Sequence, residues 1–256
     1  MKFIIMQLKE TLHDLFPTRK LRVILLSLAL IAAFISVSEL AVAKLFTKII
    51  LNEATYSTQE LVLLVSFFFI FFAMTRMGQF FQRIYRLRVF DKAFQESDQE
   101  VSYSKDNWRW SLAIELSNIL STVTQMFVVI LFFIYFNPLF GVIDLLIVMI
   151  VLTVLGRFFG KQIEAQRGFV AARRAKNPVS SAVRVSTRIK MGEKGILISG
   201  FSMILLLAAL LYLSYTGEID PANAVVLFFG LRMQNTALSG ISLSLMRFAR
   251  ARTHSE

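Results

Sequence analysis

Six long apolar runs dominate the chain, at residues 23–43, 61–81, 119–136, 139–156, 196–215 and about 222–246. Each holds about as many residues as a helix needs to cross some 30 Å of hydrocarbon, so the pattern predicts six membrane-spanning helices. Ahead of them, residues 1–20 set Phe3, Ile4, Ile5, Leu8, Leu12, Leu15 and Phe16 against Lys2, Lys9, Glu10 and Asp14. That spacing predicts a helix lying in the membrane surface and ending near Pro17. Charges interrupt its apolar run and no small-residue cleavage site follows, which argues against a secretory signal. Asn137 and Pro138 predict a tight turn between the third and fourth spans, and Gly217, Glu218, Asp220 and Pro221 an acidic turn before the sixth. The polar stretch 82–118 reads as an extra-membrane connection between spans two and three. The expected organisation is thus all-α and polytopic, with an interfacial helix at 1–20 and a six-helix transmembrane domain at 21–256.

Composition agrees: 56% hydrophobic residues, 25 Phe and a mean hydropathy of +0.62 exclude an ordinary soluble domain. The net charge of +11 would in a soluble chain suggest nucleic acid, but here the basic residues sit between the apolar runs, where topology explains them. Of the 28 Lys and Arg, 24 fall in the N-terminal segment, the second and fourth connections and the C-terminal tail, whereas Lys44 and Lys48 alone mark the opposite side. The fourth connection, 157–194, carries ten basic residues against Glu164 and Glu193. The positive-inside rule therefore places both termini in the cytoplasm. This basic loop is expected to lie along anionic headgroups. With no Cys, no disulfide, zinc cluster or thiol nucleophile is expected, and His13 and His254, both near chain ends, do not suggest a catalytic metal. No cofactor is implied.

Charged residues within spans need an account, because burying them in hydrocarbon is costly. Glu39 and Asp144 lie about a turn from the outer ends of their spans and Arg76 toward an inner end, so an interfacial or snorkelling position accounts for all three. Arg232 is mid-span and, with Gln234 and Asn235, forms a polar break in the sixth span, with 232 and 235 on one face. Two readings stand: a buried interhelical hydrogen-bond cluster, or a water-filled substrate pathway with a fixed positive charge. Gly230 and Gly240 would allow another backbone to approach. Trp108 and Trp110 are expected to anchor at the interface, and the aromatic run 67–72 to face lipid.

The surface helix, the Lys20 and Arg22 entry, the six spans, the long second and fourth connections and the short turn at 137–138 together resemble the transmembrane domain of ABC exporters of the multidrug, lipid-flippase and peptide-exporter type. Two stretches carry most of it: 83–94 (RIYRLRVFDKAF), similar to the end of that family's second span, and 217–252, similar to its turn and sixth span. The resemblance implies a dimer with a second copy or a homologous half, and a substrate pathway bordered by the sixth span, hence by Arg232, Gln234 and Asn235. It also implies an ATPase. The chain has no GxxxxGK[ST] phosphate loop and ends ten residues after Met246, so it is not itself expected to be an enzyme, and an ATPase is expected on a separate chain. The fourth connection is shorter than the family's equivalent, which normally contacts that ATPase. Docking is therefore expected on the acidic turn of the second connection, through Glu96, Asp98 and Glu100.

The expected function is the membrane-spanning subunit of an ABC-type exporter or flippase in the cell membrane. The alternative is a degenerate exporter-like domain serving as a structural or assembly subunit of a larger membrane complex. Neither reading involves nucleic acid. The orientation is directly testable in this Cys-free background. A cysteine replacing Thr55 should react with an impermeant thiol reagent added to intact cells and one replacing Ala175 should not; the reverse pattern overturns the topology.

Overall fold

The computed structural model describes residues 2–51, 56–95 and 103–255. It comprises seven helices among these residues: α1 (Lys2–Leu15), α2 (Arg19–Leu51), α3 (Thr58–Gln95), α4 (Tyr103–Phe136), α5 (Pro138–Arg174), α6 (Ser181–Tyr215) and α7 (Pro221–Ser255). Helices α2 to α7 each contain a segment long and apolar enough to cross a membrane. The protein is an all-α, multi-pass membrane protein.

The sequence sets where these helices stop. Asn137 is the N-cap of α5: its side chain accepts from the Phe140 amide at 2.8 Å, and Pro138 at the first helical position removes a donor that would lack a partner. Ser57 and Glu60 form a reciprocal capping box at α3, with Ser57 Oγ accepting from the Glu60 amide at 3.3 Å and Glu60 accepting from the Ser57 amide at 2.9 Å. Helix α6 ends at Gly217, whose φ of 81° suits a residue without Cβ, and the Glu218 amide folds back to the Leu213 carbonyl at 3.0 Å. Asn137 Nδ2 donates to the Glu218 carbonyl at 3.3 Å, tying the α4–α5 and α6–α7 turns together on one side. On the other side Arg252 pairs with Asp14 at 2.7 Å, so the N- and C-terminal segments meet. Arg22 donates to the carbonyls of Phe16 at 3.0 Å and Pro17 at 2.6 Å, closing the end of α1.

Packing centres on α7, which touches α2, α4, α5 and α6. The inner half of the core gathers Phe16, Phe90, Leu112, Phe159 and Phe248, and the outer half Phe133, Phe140, Leu210 and Leu231. Close approach rests on small residues. A Cβ on Gly195 of α6 would lie 2.0 Å from Ser242 Oγ and 2.7 Å from Leu155, and Ser242 donates to the Gly192 carbonyl at 3.0 Å. Gly230 likewise admits the Phe133 ring, whereas a Cβ on Gly240 would meet nothing within 4 Å. Helix α3 stands apart: only 6% of its most apolar window is buried, against 44% for α2 and α7, and it leans mainly on α2.

Several expectations change. The stretch 82–118 is not a loop: α3 runs to Gln95 and α4 starts at Tyr103, so its described residues extend two helices. The fourth connection does not form a separate surface segment, because α5 continues from 157 to Arg174 and α6 begins at Ser181. The two helices run about 27 Å and 22 Å beyond the apolar segments. Asp144 sits near its helix start as expected but points inward, fully buried. Trp110 meets Phe94 and Phe90 edge-on at 5.1 and 6.2 Å, and Trp108 stacks on His254 at 4.6 Å, so both tryptophans pack against protein.

Because Gly195 lies where three helices meet, Gly195→Ala should lower stability by about 1–3 kcal/mol. Gly200→Ala, where an added Cβ meets nothing within 4 Å, should change it little. Thermal unfolding in detergent compares the two, and equal melting temperatures would contradict the packing.

Candidate functional site

The three residues of the sixth-span polar group diverge in space. Gln234 is buried and donates from Nε2 to Asp144 Oδ1 at 2.6 Å. Asn235 Oδ1 accepts from Ser199 Oγ of α6 at 2.8 Å. Both make interhelical hydrogen bonds, the first of the two readings above. Arg232 has neither partner and is exposed on the outer surface of α7, about 17 Å along the helix from Pro221. Glu96, Asp98 and Glu100 lie outside the described residues.

The polar space in the bundle lies elsewhere. A cavity of about 360 Å³ opens between α2, α3, α4 and α7. Three helices present the same pattern to it: 32, 35, 36 and 39 on α2; 79, 82, 83 and 86 on α3; 118, 121, 122 and 125 on α4. Each set follows the i, i+3, i+4, i+7 spacing that makes one face of a helix. On α3 and α4 this face is wholly polar: Gln79, Gln82, Arg83 and Arg86 oppose Asn118, Ser121, Thr122 and Gln125. Helix α7 contributes Ser244 and Gly240, whose missing side chain leaves the wall open.

The wall is partly self-satisfied. Glu39 accepts from Gln79 Nε2 at 3.0 Å, so this carboxylate faces the cavity wall, contrary to the interfacial expectation. Gln79 Oε1 in turn accepts from Arg76 at 3.4 Å, and Arg76 is itself exposed and 5.3 Å over the Phe72 ring. Gln82 donates to the Leu28 carbonyl at 3.1 Å. Arg86 Nη1 donates to Asn118 Oδ1 at 2.5 Å. Arg86 Nε and Ser121 Oγ are buried without a hydrogen-bond partner among the described residues. Behind Arg86 lies the buried carboxylate of Glu115, which pairs with Arg247 at 3.6 Å.

This wall offers two guanidiniums and a row of amides and hydroxyls near the inner end, with one carboxylate deeper. Such a lining suits a polar group carrying negative charge, held at the inner end by Arg83 and Arg86. The volume falls within the range of small-molecule sites. Among the described residues no group of three His, Asp or Glu side chains is placed to hold a metal.

This face is not evident from the sequence as a site, because nothing local shows that the polar stripes of α3 and α4 face one another. The signal available was the matched spacing of 79, 82, 83, 86 and 118, 121, 122, 125, which marks two polar stripes continuous with apolar spans. A scan against protein-family models finds no match to the chain, and no curated protein matches it in sequence.

Proposed function

We propose that this chain is the membrane-spanning subunit of an ABC-type exporter or flippase of the cell membrane, energised by a separate ATPase. Its substrate, or the headgroup of a lipid substrate, occupies the cavity between α2, α3, α4 and α7. The polar face built by three aligned helical stripes is the observation that carries this reading. Polar side chains in hydrocarbon are costly unless they meet partners or water, and a purely scaffolding bundle needs no such opening. Pairing with a second copy or a homologous half is supported by Arg232, whose exposed mid-span charge a protein partner would remove from lipid. The sparsely packed α3 points the same way.

The alternative, a structural subunit without transport, predicts different company. Purification from native membranes should retain an ATPase chain, and cysteines at Asp98 and Ala175 should crosslink to it from at least one position. Recovery with other membrane proteins but no ATPase, and no crosslink from either cysteine, favours the structural role. In the intact complex, reconstituted in native lipid, Arg86→Gln should reduce the ATPase rate several-fold at unchanged assembly. An unaffected rate removes the cavity from the pathway.

A further inference from the structure

A second polar recess lies at the cytoplasmic end of the bundle and shares no lining residue with the membrane cavity. It occupies about 340 Å³ between α4, α6 and α7 and includes Trp108, Arg188, Arg247 and Arg250. Arg184 lies one turn before Arg188 on α6, and His254 one turn beyond Arg250 on α7. These faces are turned toward each other. Arg250 feels the charges of both Arg184 and Arg188, and His254 feels those of Arg173, Arg184 and Arg250. The Arg250 guanidinium lies 5.1 Å over the Trp108 ring, which stacks at 17° on the His254 imidazole.

The acids nearby do not balance this charge. Glu115 pairs with Arg247 at 3.6 Å, and Glu193 is exposed on the rim. Among the described residues Arg188 makes no hydrogen bond or ion pair, and the Arg250 guanidinium is placed over the Trp108 ring without an acid partner. Topology requires basic residues on this side of the membrane, and Arg173, Arg174, Lys176, Lys190 and Lys194 meet that need while exposed. It does not require Arg184, Arg188 and Arg250 to be half-buried and facing one another, an arrangement in which like charges repel.

We propose that this recess binds a phosphate group. Arg188 and Arg250 line the recess from two helices, with Arg184 a turn beyond the lining and donating to Ser181 at 3.2 Å; such a pair suits a multiply charged tetrahedral anion better than a single carboxylate, since each guanidinium can donate two parallel N–H bonds. The Trp108–His254 stack holds Arg250 in place from the α4 side. The phosphate belongs either to an anionic phospholipid headgroup or to a soluble phosphorylated compound. In both cases the bound anion clamps the cytoplasmic ends of α6 and α7.

The full-length protein purified in neutral detergent tests this with two probes: pyrophosphate, read by thermal unfolding, and mixed vesicles of phosphatidic acid and phosphatidylcholine, read by which lipid native mass spectrometry finds retained. At least one probe should bind, selectively for the anion. Arg188→Gln with Arg250→Gln should weaken binding about tenfold or more. The corresponding Lys pair, which keeps the charge but not the parallel N–H bonds, should bind between the wild-type protein and the Gln pair, and Lys190→Gln with Lys194→Gln should leave binding unchanged. Response to the lipid alone assigns a headgroup; response to pyrophosphate alone assigns a soluble ligand. Failure of both probes with the wild-type protein overturns the proposal, as does an equal loss in the Lys190 and Lys194 variant, which would reveal diffuse charge attraction.

Discussion

The hydrocarbon core leaves a polar group two acceptable positions, against a partner or against polar space, and the arrangement of the bundle follows from that constraint. Helix α7 shows both solutions within a few turns. Gln234 is paired with Asp144, Asn235 with Ser199 and Ser242 with the Gly192 backbone, so that α5 and α6 are drawn onto α7 through hydrogen bonds. On its other face Gly240 and Ser244 open onto the cavity toward α2, α3 and α4. One helix thus separates a closed half of the bundle, linked by interhelical hydrogen bonds, from an open one.

Small residues make the closed half possible. Gly192 and Gly195 bring α6 within hydrogen-bond range of α7, and Gly141 presses the start of α5 onto the Ile134 backbone, with an added Cβ only 2.6 Å away. Without side chains at those points, dispersion contacts and short polar bonds act together, which matters where no hydrophobic effect drives helix against helix. In the open half Gly78 of α3 meets Ile35 of α2, where an added Cβ would lie 3.0 Å from the side chain. Helix α3 is joined to the rest chiefly through α2 and through polar bonds such as Arg86 to Asn118 and Gln82 to Leu28. A loosely held span beside a polar cavity is the arrangement expected where a site must admit and release a ligand.

At the basic end of the bundle, charge does three jobs that the positive-inside rule alone does not separate. Exposed Lys and Arg residues on the continuations of α5 and α6 orient the protein. The Arg252–Asp14 pair ties α1 to the end of α7. Arg188 and Arg250 line the cleft proposed to hold an anion, with Arg184 one turn away on α6. The Arg247–Glu115 pair lines this cleft, and the Glu115 carboxylate also acts on Arg86 of the membrane cavity. The two recesses are therefore distinct in lining but adjacent in electrostatics.

From the sequence alone came the six spans, their order, a helix ahead of Pro17 and the tight turn at Asn137 and Pro138, because apolar run length and capping chemistry are local properties. The asymmetry of Lys and Arg is likewise readable without coordinates. Tertiary structure decided what local pattern could not: that Asp144 turns inward to Gln234, and that Gln234 and Asn235 bind different neighbours while Arg232 faces outward. A charged residue near a helix end has the same sequence signature whether it meets lipid headgroups, another helix or a cavity. Only the rotation of each helix about its axis, set by packing against its neighbours, distinguishes them. The polar stripes on α3 and α4 were visible as spacing, but that they face one another across a common space depends on how those two helices are turned within the bundle.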